Sequence, residues 1–173
     1  MRLPLFAATL ALGACSSGGG GGDTLVAPDL GEVASAQSAS VTAITEVERT
    51  EFGLTLNDVR GDLRRVVSHD ILNGVAQDYT ADIERAGRTI TSGDNLHVGR
   101  DGSTVGDRVL RAGYDYSWVG ENIAQGYDDG DAVIRAWMNS DTGHREVVLE
   151  PQAEDFGIGR TDDTWVLIMG AQR

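Results

Sequence analysis

The sequence predicts an α+β fold in which helices pack on a small antiparallel sheet. Apolar residues recur at helical spacing through residues 45–112, and two β-rich runs follow near the end of the chain. Helices and strands do not alternate regularly, so a parallel sheet built from βαβ units is not expected. Early helices and late strands are typical of a fold in which helices cover an antiparallel sheet.

The helical prediction begins with residues 45–63, where Gly53 is a weak point. A second helix follows Asp70, which we interpret as its N-cap, and stops at Gly87. One stripe of this second helix is apolar and is predicted to face a core, and it consists of Leu72, Val75, Ala76, Tyr79 and Ile83.

The second half of the chain contains two further helices and the strands. Thr104 with Asp107 three residues later resembles a capping box, which predicts a third helix ending at Gly113. Residues 118–126 are apolar and Gly-punctuated, as in a strand, and residues 131–140 predict a helix capped by Asp131. Residues 156–160 and 165–169 are β-rich and joined by a short polar turn, which predicts an antiparallel hairpin.

The amino terminus carries a short charged and apolar segment followed by a Gly/Ser-rich stretch. Arg2 precedes the apolar run 3–12, which is too short to span a bilayer. The sequence Leu-Gly-Ala-Cys at 12–15 resembles the bacterial lipobox, which makes Cys15 the lipidated first residue of the mature protein. An ordinary signal peptide with an incidental Cys is the alternative. We therefore predict a signal peptide at 1–14, a lipidated flexible tether at 15–44, and one domain at 45–173.

Charge and cysteine content exclude several kinds of partner. The formal net charge is −13, and all 14 basic side chains are Arg, which argues against binding nucleic acid. The same charge argues against electrostatic adhesion to anionic lipid. Lipidated Cys15 would therefore be the contact with the membrane, and Ser16 after it favours the outer membrane, facing the periplasm or the cell surface. A single Cys excludes an intramolecular disulfide and any multi-Cys metal site.

Six short motifs in order resemble the bacterial CAP superfamily of cysteine-rich secretory, antigen 5 and pathogenesis-related proteins, also called SCP domains. The segments are Leu56–Arg60, Ser68–Gln77, Leu96–Tyr114, Gly120–Ala124, Trp137–Arg145 and Phe156–Gly159, and the resemblance covers about residues 50–172. It implies an α–β–α sandwich with a surface cleft. The family's cleft residues correspond to His97, Glu121 and His144. Ser140 stands where many members have a second acid, and neighbouring Asp141 is a candidate substitute.

The chemistry of this set leaves several functions open. Two imidazoles and a carboxylate suit Zn²⁺ or another divalent metal with a water position open, which would permit hydrolysis. Glu121 could instead orient one imidazole, or the set could transfer protons without a metal. The favoured hypothesis is a cell-envelope binding module for a small ligand, lipid, peptide or metal, with a metal-assisted hydrolase and a purely structural protein as alternatives. Ser140 or Thr142 is expected to cap the segment that begins near His144, and His69 is expected in a solvated loop.

Overall fold

The computed structural model describes residues 42–173, so the predicted signal peptide and nearly all of the predicted tether lie outside the described residues. The described residues form five α-helices, one short 3₁₀ turn at Ile90–Ser92 and four strands. The helices are α1 (Glu46–Arg60), α2 (Asp70–Arg85), α3 (Val105–Arg111), α4 (Gly130–Met138) and α5 (His144–Val148). The strands are β1 (Val67–Ser68), β2 (Tyr116–Gln125), β3 (Asp155–Thr161) and β4 (Thr164–Gln172).

The strands form one sheet in the order β1-β3-β4-β2, so β2 lies at an edge of the sheet among the described residues. The predicted hairpin is confirmed: β3 and β4 pair antiparallel up to Thr161 opposite Thr164, with Asp162 in the turn at φ 52°. The sheet is mixed rather than purely antiparallel, because β1 pairs parallel with β3. That strand has two residues, which is too few to show a period in the sequence.

Helices cover both faces of the sheet, as in an α–β–α sandwich. Alternate residues of β4 enter two apolar clusters, with Trp165, Leu167 and Met169 facing α1 and α4, and Val166 and Ile168 facing α2 and α3. All five side chains are buried. A central strand covered on both sides needs an unbroken apolar run, which explains why this segment does not alternate with polar residues.

Glycines let α2 approach the sheet closely. A Cβ at Gly157 would lie 2.2 Å from the backbone carbon of Leu72, and one at Gly159 would lie 2.4 Å from that of Ala76. Gly53 lies within α1 and does not interrupt it. A side chain at this position would collide with the ring of Phe156. The glycine at the predicted weak point is thus a packing requirement and not a break in the helix.

Local capping signals predicted some helix starts correctly and missed others. The capping box of Thr104 and Asp107 is present at the start of α3. Asp70 is not an N-cap, because it is the first residue of α2 and His69 precedes it as the cap. Asp131 does not cap α4 either: Asp129 accepts from the backbone N–H of Ala132, while the Asp131 carboxylate accepts from the hydroxyl of Thr55 at 2.8 Å.

Candidate functional site

Edge strand β2 presents Glu121 and Asn122 to opposite layers of the sandwich. Glu121 shares its face with Val119 and Ile123, which pack in the cluster beneath α2 and α3. Asn122 faces the other layer, where its side-chain amide donates to the backbone carbonyl of His144 at 2.8 Å. Consecutive residues of one edge strand therefore connect two helical layers at the same point.

Glu121 holds His97 from beneath. The Nδ1 atom of His97 lies 2.9 Å from one carboxylate oxygen, and the guanidinium of Arg108 lies 2.5 Å from the other. The carboxylate side chain is 2% exposed, whereas the His97 ring is 52% exposed. Because an ionised carboxylate only accepts hydrogen bonds, the contact places a proton on Nδ1 of His97 and leaves Nε2 unprotonated in the neutral ring.

Arg108 is the residue of this site to which the sequence analysis assigned no role. Its side chain is nine-tenths buried, lies 3.6 Å over the ring of Tyr79, and donates to the carbonyl of Ser103 at 3.0 Å. The hydroxyl of Tyr79 in turn donates to the carbonyl of Leu96 at 2.5 Å, directly before His97. A signal was present, since Arg108 lies beside Val105 and Val109, which pack in the cluster beneath α2 and α3.

His144 begins α5 on the opposite side of β2. Its Nδ1 atom lies 2.9 Å from the hydroxyl of Ser140 and 3.2 Å from that of Thr142. The prediction that one of these residues caps α5 is wrong: the N-cap is Gly143, at φ 96°, and no side chain caps the helix. The two hydroxyls hold the imidazole of His144 instead.

His97 and His144 interact electrostatically. Burial lowers the pKa of His144 below the ordinary histidine value, and the charge of His97 lowers it further. His97 contacts Glu121 directly, whereas Asp141 is exposed and makes no hydrogen bond or ion pair with any residue from 42 to 173. The role of Asp141 as a substitute for the second acid stays a prediction. His69, expected in a solvated loop, is half-buried, and its ring meets that of Tyr114 edge-on at 5.0 Å.

A cavity of about 470 Å³ lies beside His144. Its wall is mainly apolar and includes Ile123, Tyr127 and Trp137, with Ser140 and His144 as polar groups. Neither imidazole Nε2 atom has a hydrogen-bond partner within residues 42–173. The arrangement therefore offers the imidazole of His144 next to an apolar hollow, which is a common composition for a ligand site, whereas His97 does not line this cavity.

Among the three candidate ligands, only the two imidazoles keep a donor atom without a hydrogen-bond partner within residues 42–173. Across residues 42–173, no three His, Cys, Asp or Glu side chains are grouped so that they could hold a metal ion. Both oxygens of Glu121 are hydrogen-bonded, one to His97 and one to Arg108, an arrangement that orients the His97 ring. A role of Glu121 as a metal ligand stays a prediction. A metal here would have two protein nitrogens and would complete its coordination with water or ligand atoms.

The family model CAP, for the cysteine-rich secretory protein family, matches residues 60–167, which is more than half of the chain. The chain therefore belongs to the CAP family. The uncharacterized protein YkwD of Bacillus subtilis is 42% identical over 53 residues, which are 31% of this chain and 20% of that protein. The uncharacterized membrane protein YlbC of the same organism is 36% identical over 63 residues, covering 36% of this chain and 18% of that protein. The matches thus span about a fifth of each relative.

Solved structures agree on the fold. An extracellular protein containing a SCP domain from Bacillus anthracis is 25% identical with a TM-score of 0.64, covering 71% of this chain and 40% of that one. An outer surface protein from Borrelia burgdorferi has a TM-score of 0.67 at 19% identity, covering 77% of this chain and 99% of that one. Within residues 42–173, every helix is too short or too polar to cross a membrane.

Proposed function

We propose that this chain is an exported, lipid-anchored binding module whose cleft takes a small ligand or a divalent metal between His97 and His144. The observation that supports this is the state of the two imidazoles. Each ring is held through Nδ1, by Glu121 or by the hydroxyls of Ser140 and Thr142, and each leaves Nε2 without a partner among the described residues. Imidazoles oriented in this way are typical of groups that bind through Nε2.

The two imidazoles differ in burial, which suits them to different roles. Burial lowers the pKa of His144, so its ring is neutral at neutral pH and can coordinate a metal or accept a hydrogen bond. His97 is more exposed, and its Nδ1 atom is hydrogen-bonded to the buried carboxylate of Glu121. A bound divalent ion would be held by both rings and would offer a Lewis-acidic centre to a ligand. The apolar wall beside His144 favours an organic ligand such as a lipid tail or an apolar peptide side chain.

The alternatives receive less support from the geometry. A metal-assisted hydrolase would need Glu121 as ligand or base, but this side chain is buried and both oxygens are engaged. The hydroxyl of Ser140 lies 2.9 Å from His144, yet no acid orients the other ring nitrogen from within residues 42–173. A purely structural role accounts for Arg108 and Glu121, but it gives no reason for a half-exposed His97.

A metal titration tests the proposal. We expect Zn²⁺ to raise the thermal unfolding midpoint of the purified chain, because binding to the folded state stabilises it by mass action. His97→Ala and His144→Ala should each abolish this shift. His69→Ala is the matched control, since His69 is the third histidine of the chain and lies outside the cleft. An unchanged shift in both cleft variants would contradict the metal form of the proposal.

A ligand screen with the same variants separates the other outcomes. A lipid or peptide ligand that binds the wild type and the His69→Ala variant, but not the His144→Ala variant, supports the cleft without a metal. If the cleft variants behave like the wild type with every probe, the structural alternative is correct.

Lipid anchoring through Cys15 is the second part of the proposal. The similar proteins include an outer surface protein and an extracellular protein, which is consistent with export. Replacing Cys15 with Ser should release soluble protein or leave an unprocessed precursor. Membrane fractionation distinguishes these results, and attachment that persists in the variant would contradict the anchor. Recovery in the inner-membrane fraction would contradict outer-membrane sorting.

A further inference from the structure

A second pocket, of about 530 Å³, lies between α2, α3 and the loop that precedes α3. The α2 wall carries Asp78 and Asp82, one turn apart on the same face. The opposite wall carries Arg100, Arg111 and Asp101, and the floor is formed by Tyr79 and Arg108. The pocket thus has one acidic wall and one wall with a net positive charge, in a size range that suits small molecules.

The opposite charges of these walls do not neutralise each other. No ion pair among the described residues crosses the pocket. Asp82 pairs with Arg85 on its own helix at 3.4 Å, and Arg111 pairs with Asp101 on its own side at 2.9 Å. Asp78 and Arg100 are exposed, and neither makes a hydrogen bond or ion pair with a described residue. Acidic and basic groups therefore face one space without bridging it.

The balance of charge selects the chemical class of the occupant. The lining contains three acids (Asp78, Asp82 and Asp101) and three arginines (Arg100, Arg108 and Arg111), so its formal charge is zero. The whole chain, in contrast, has a net charge of −13 with only 14 basic residues. A simple anion would be repelled by the acidic wall, and a simple cation would be repelled by the arginines. A ligand with both charges, oriented across the pocket, satisfies both walls.

We propose that this pocket binds a small zwitterion, such as a short peptide with free ends, with its ammonium group toward Asp78 and Asp82 and its carboxylate toward Arg100 and Arg111. A guanidinium can bind a carboxylate through two parallel hydrogen bonds, which fixes the direction of the ligand. Tyr79, Val75 and Ala112 supply apolar surface between the charged ends. This site is separate from the histidine cleft and does not rest on the function proposed for it.

Three related probes test the proposal by calorimetry on the purified chain at neutral pH. Trialanine carries both charges, N-acetyl-trialanine only the carboxylate, and trialanine amide only the ammonium. We expect trialanine to bind saturably and each blocked peptide to bind about tenfold more weakly, because each loses one charged hydrogen-bonded end. Equal binding of the three peptides, preference for a blocked one, or no saturable binding of trialanine would overturn the proposal.

Variants show whether the binding lies in this pocket. Asp78→Asn should selectively remove the preference for trialanine over its acetylated form, and Arg100→Gln should remove the preference over its amide. Asp62→Asn and Arg65→Gln are matched controls on exposed residues after α1, and they should leave all affinities unchanged. If trialanine binding is instead lost in His144→Ala and kept in the Asp78 and Arg100 variants, the peptide occupies the histidine cleft and the proposal is wrong.

Discussion

Replacing Arg108 with Met should destabilise the chain strongly although Met retains an apolar stem at this position. The change leaves Glu121, whose side chain is 2% exposed, without the guanidinium that lies 2.5 Å from one of its oxygens. It also removes the donor to the Ser103 carbonyl and the cation over the Tyr79 ring. Met keeps most of the apolar contact, so the variant tests the charge and its hydrogen bonds rather than the packing.

The magnitude follows from the burial of the partner that remains. Removing one member of a buried ion pair costs about 3–5 kcal/mol, because the other charge stays buried without compensation. This is a large part of the total of about 5–15 kcal/mol that is typical of a folded domain, so a folded fraction should remain measurable. Arg111→Met is the control on the same helix: its pair with Asp101 is more than half exposed, so little stability should be lost.

The assay is urea denaturation. It compares Arg108→Met, Arg111→Met, Glu121→Gln and the Arg108→Met/Glu121→Gln double variant with the wild type. The double variant should be more stable than the sum of the single losses predicts, by at least about 1 kcal/mol, since it has no unpaired buried charge. The reasoning is refuted if Arg108→Met costs no more stability than Arg111→Met. It is also refuted if the losses from Arg108→Met and Glu121→Gln simply add in the double variant.

Three further predictions concern pH, packing and capping. Burial lowers the pKa of His144 in the folded chain, so the unfolded state binds more protons near the ordinary histidine pKa. Stability should therefore fall as the pH drops below about 6.5. His144→Gln should flatten this pH dependence, measured by urea denaturation at several pH values. Gly157→Ala should cost at least about 3 kcal/mol, because its Cβ would collide with the α2 backbone. Gly74 is an exposed residue of α2 with open space for a Cβ, so Gly74→Ala should stabilise the fold by about 0.5–1 kcal/mol in thermal melts. Thr104→Ala removes the α3 cap and should cost about 1 kcal/mol, and a Thr104→Ser variant that is no more stable than Thr104→Ala would contradict the capping role.

Features of the fold that depend on local sequence could be predicted, and features that depend on distant contacts could not. The capping box of Thr104 and Asp107 and the final hairpin are encoded within a few residues. The parallel pairing of Val67 with Asp155 involves a strand too short to leave a pattern. Asp131 has the side chain of a cap, but Thr55 from α1 binds it, which only the packed fold determines.

The candidate site shows the same division. Spacing alone did not unite His97, Glu121 and His144, and only the resemblance to a family did so. Arg108 lay within one of the resembling motifs, yet nothing local indicated that its charge would meet Glu121 thirteen positions later on β2. The hydroxyl of Ser140 was interpreted as a helix cap because caps are the usual role of Ser before a helix, whereas the left-handed Gly143 turns the chain so that Ser140 contacts the ring.

The two imidazoles are held by opposite layers of the sandwich. Binding of one ligand by both rings would therefore depend on both layers being folded. His97 is fixed by groups of the layer that contains α2 and α3, and His144 by the layer that contains α4 and α5. An occupant bound by both rings would connect the two layers directly, in addition to the strands that lie between them. A mutation that destabilises either layer would then lower the affinity for the ligand, even when the mutated residue is remote from the cleft.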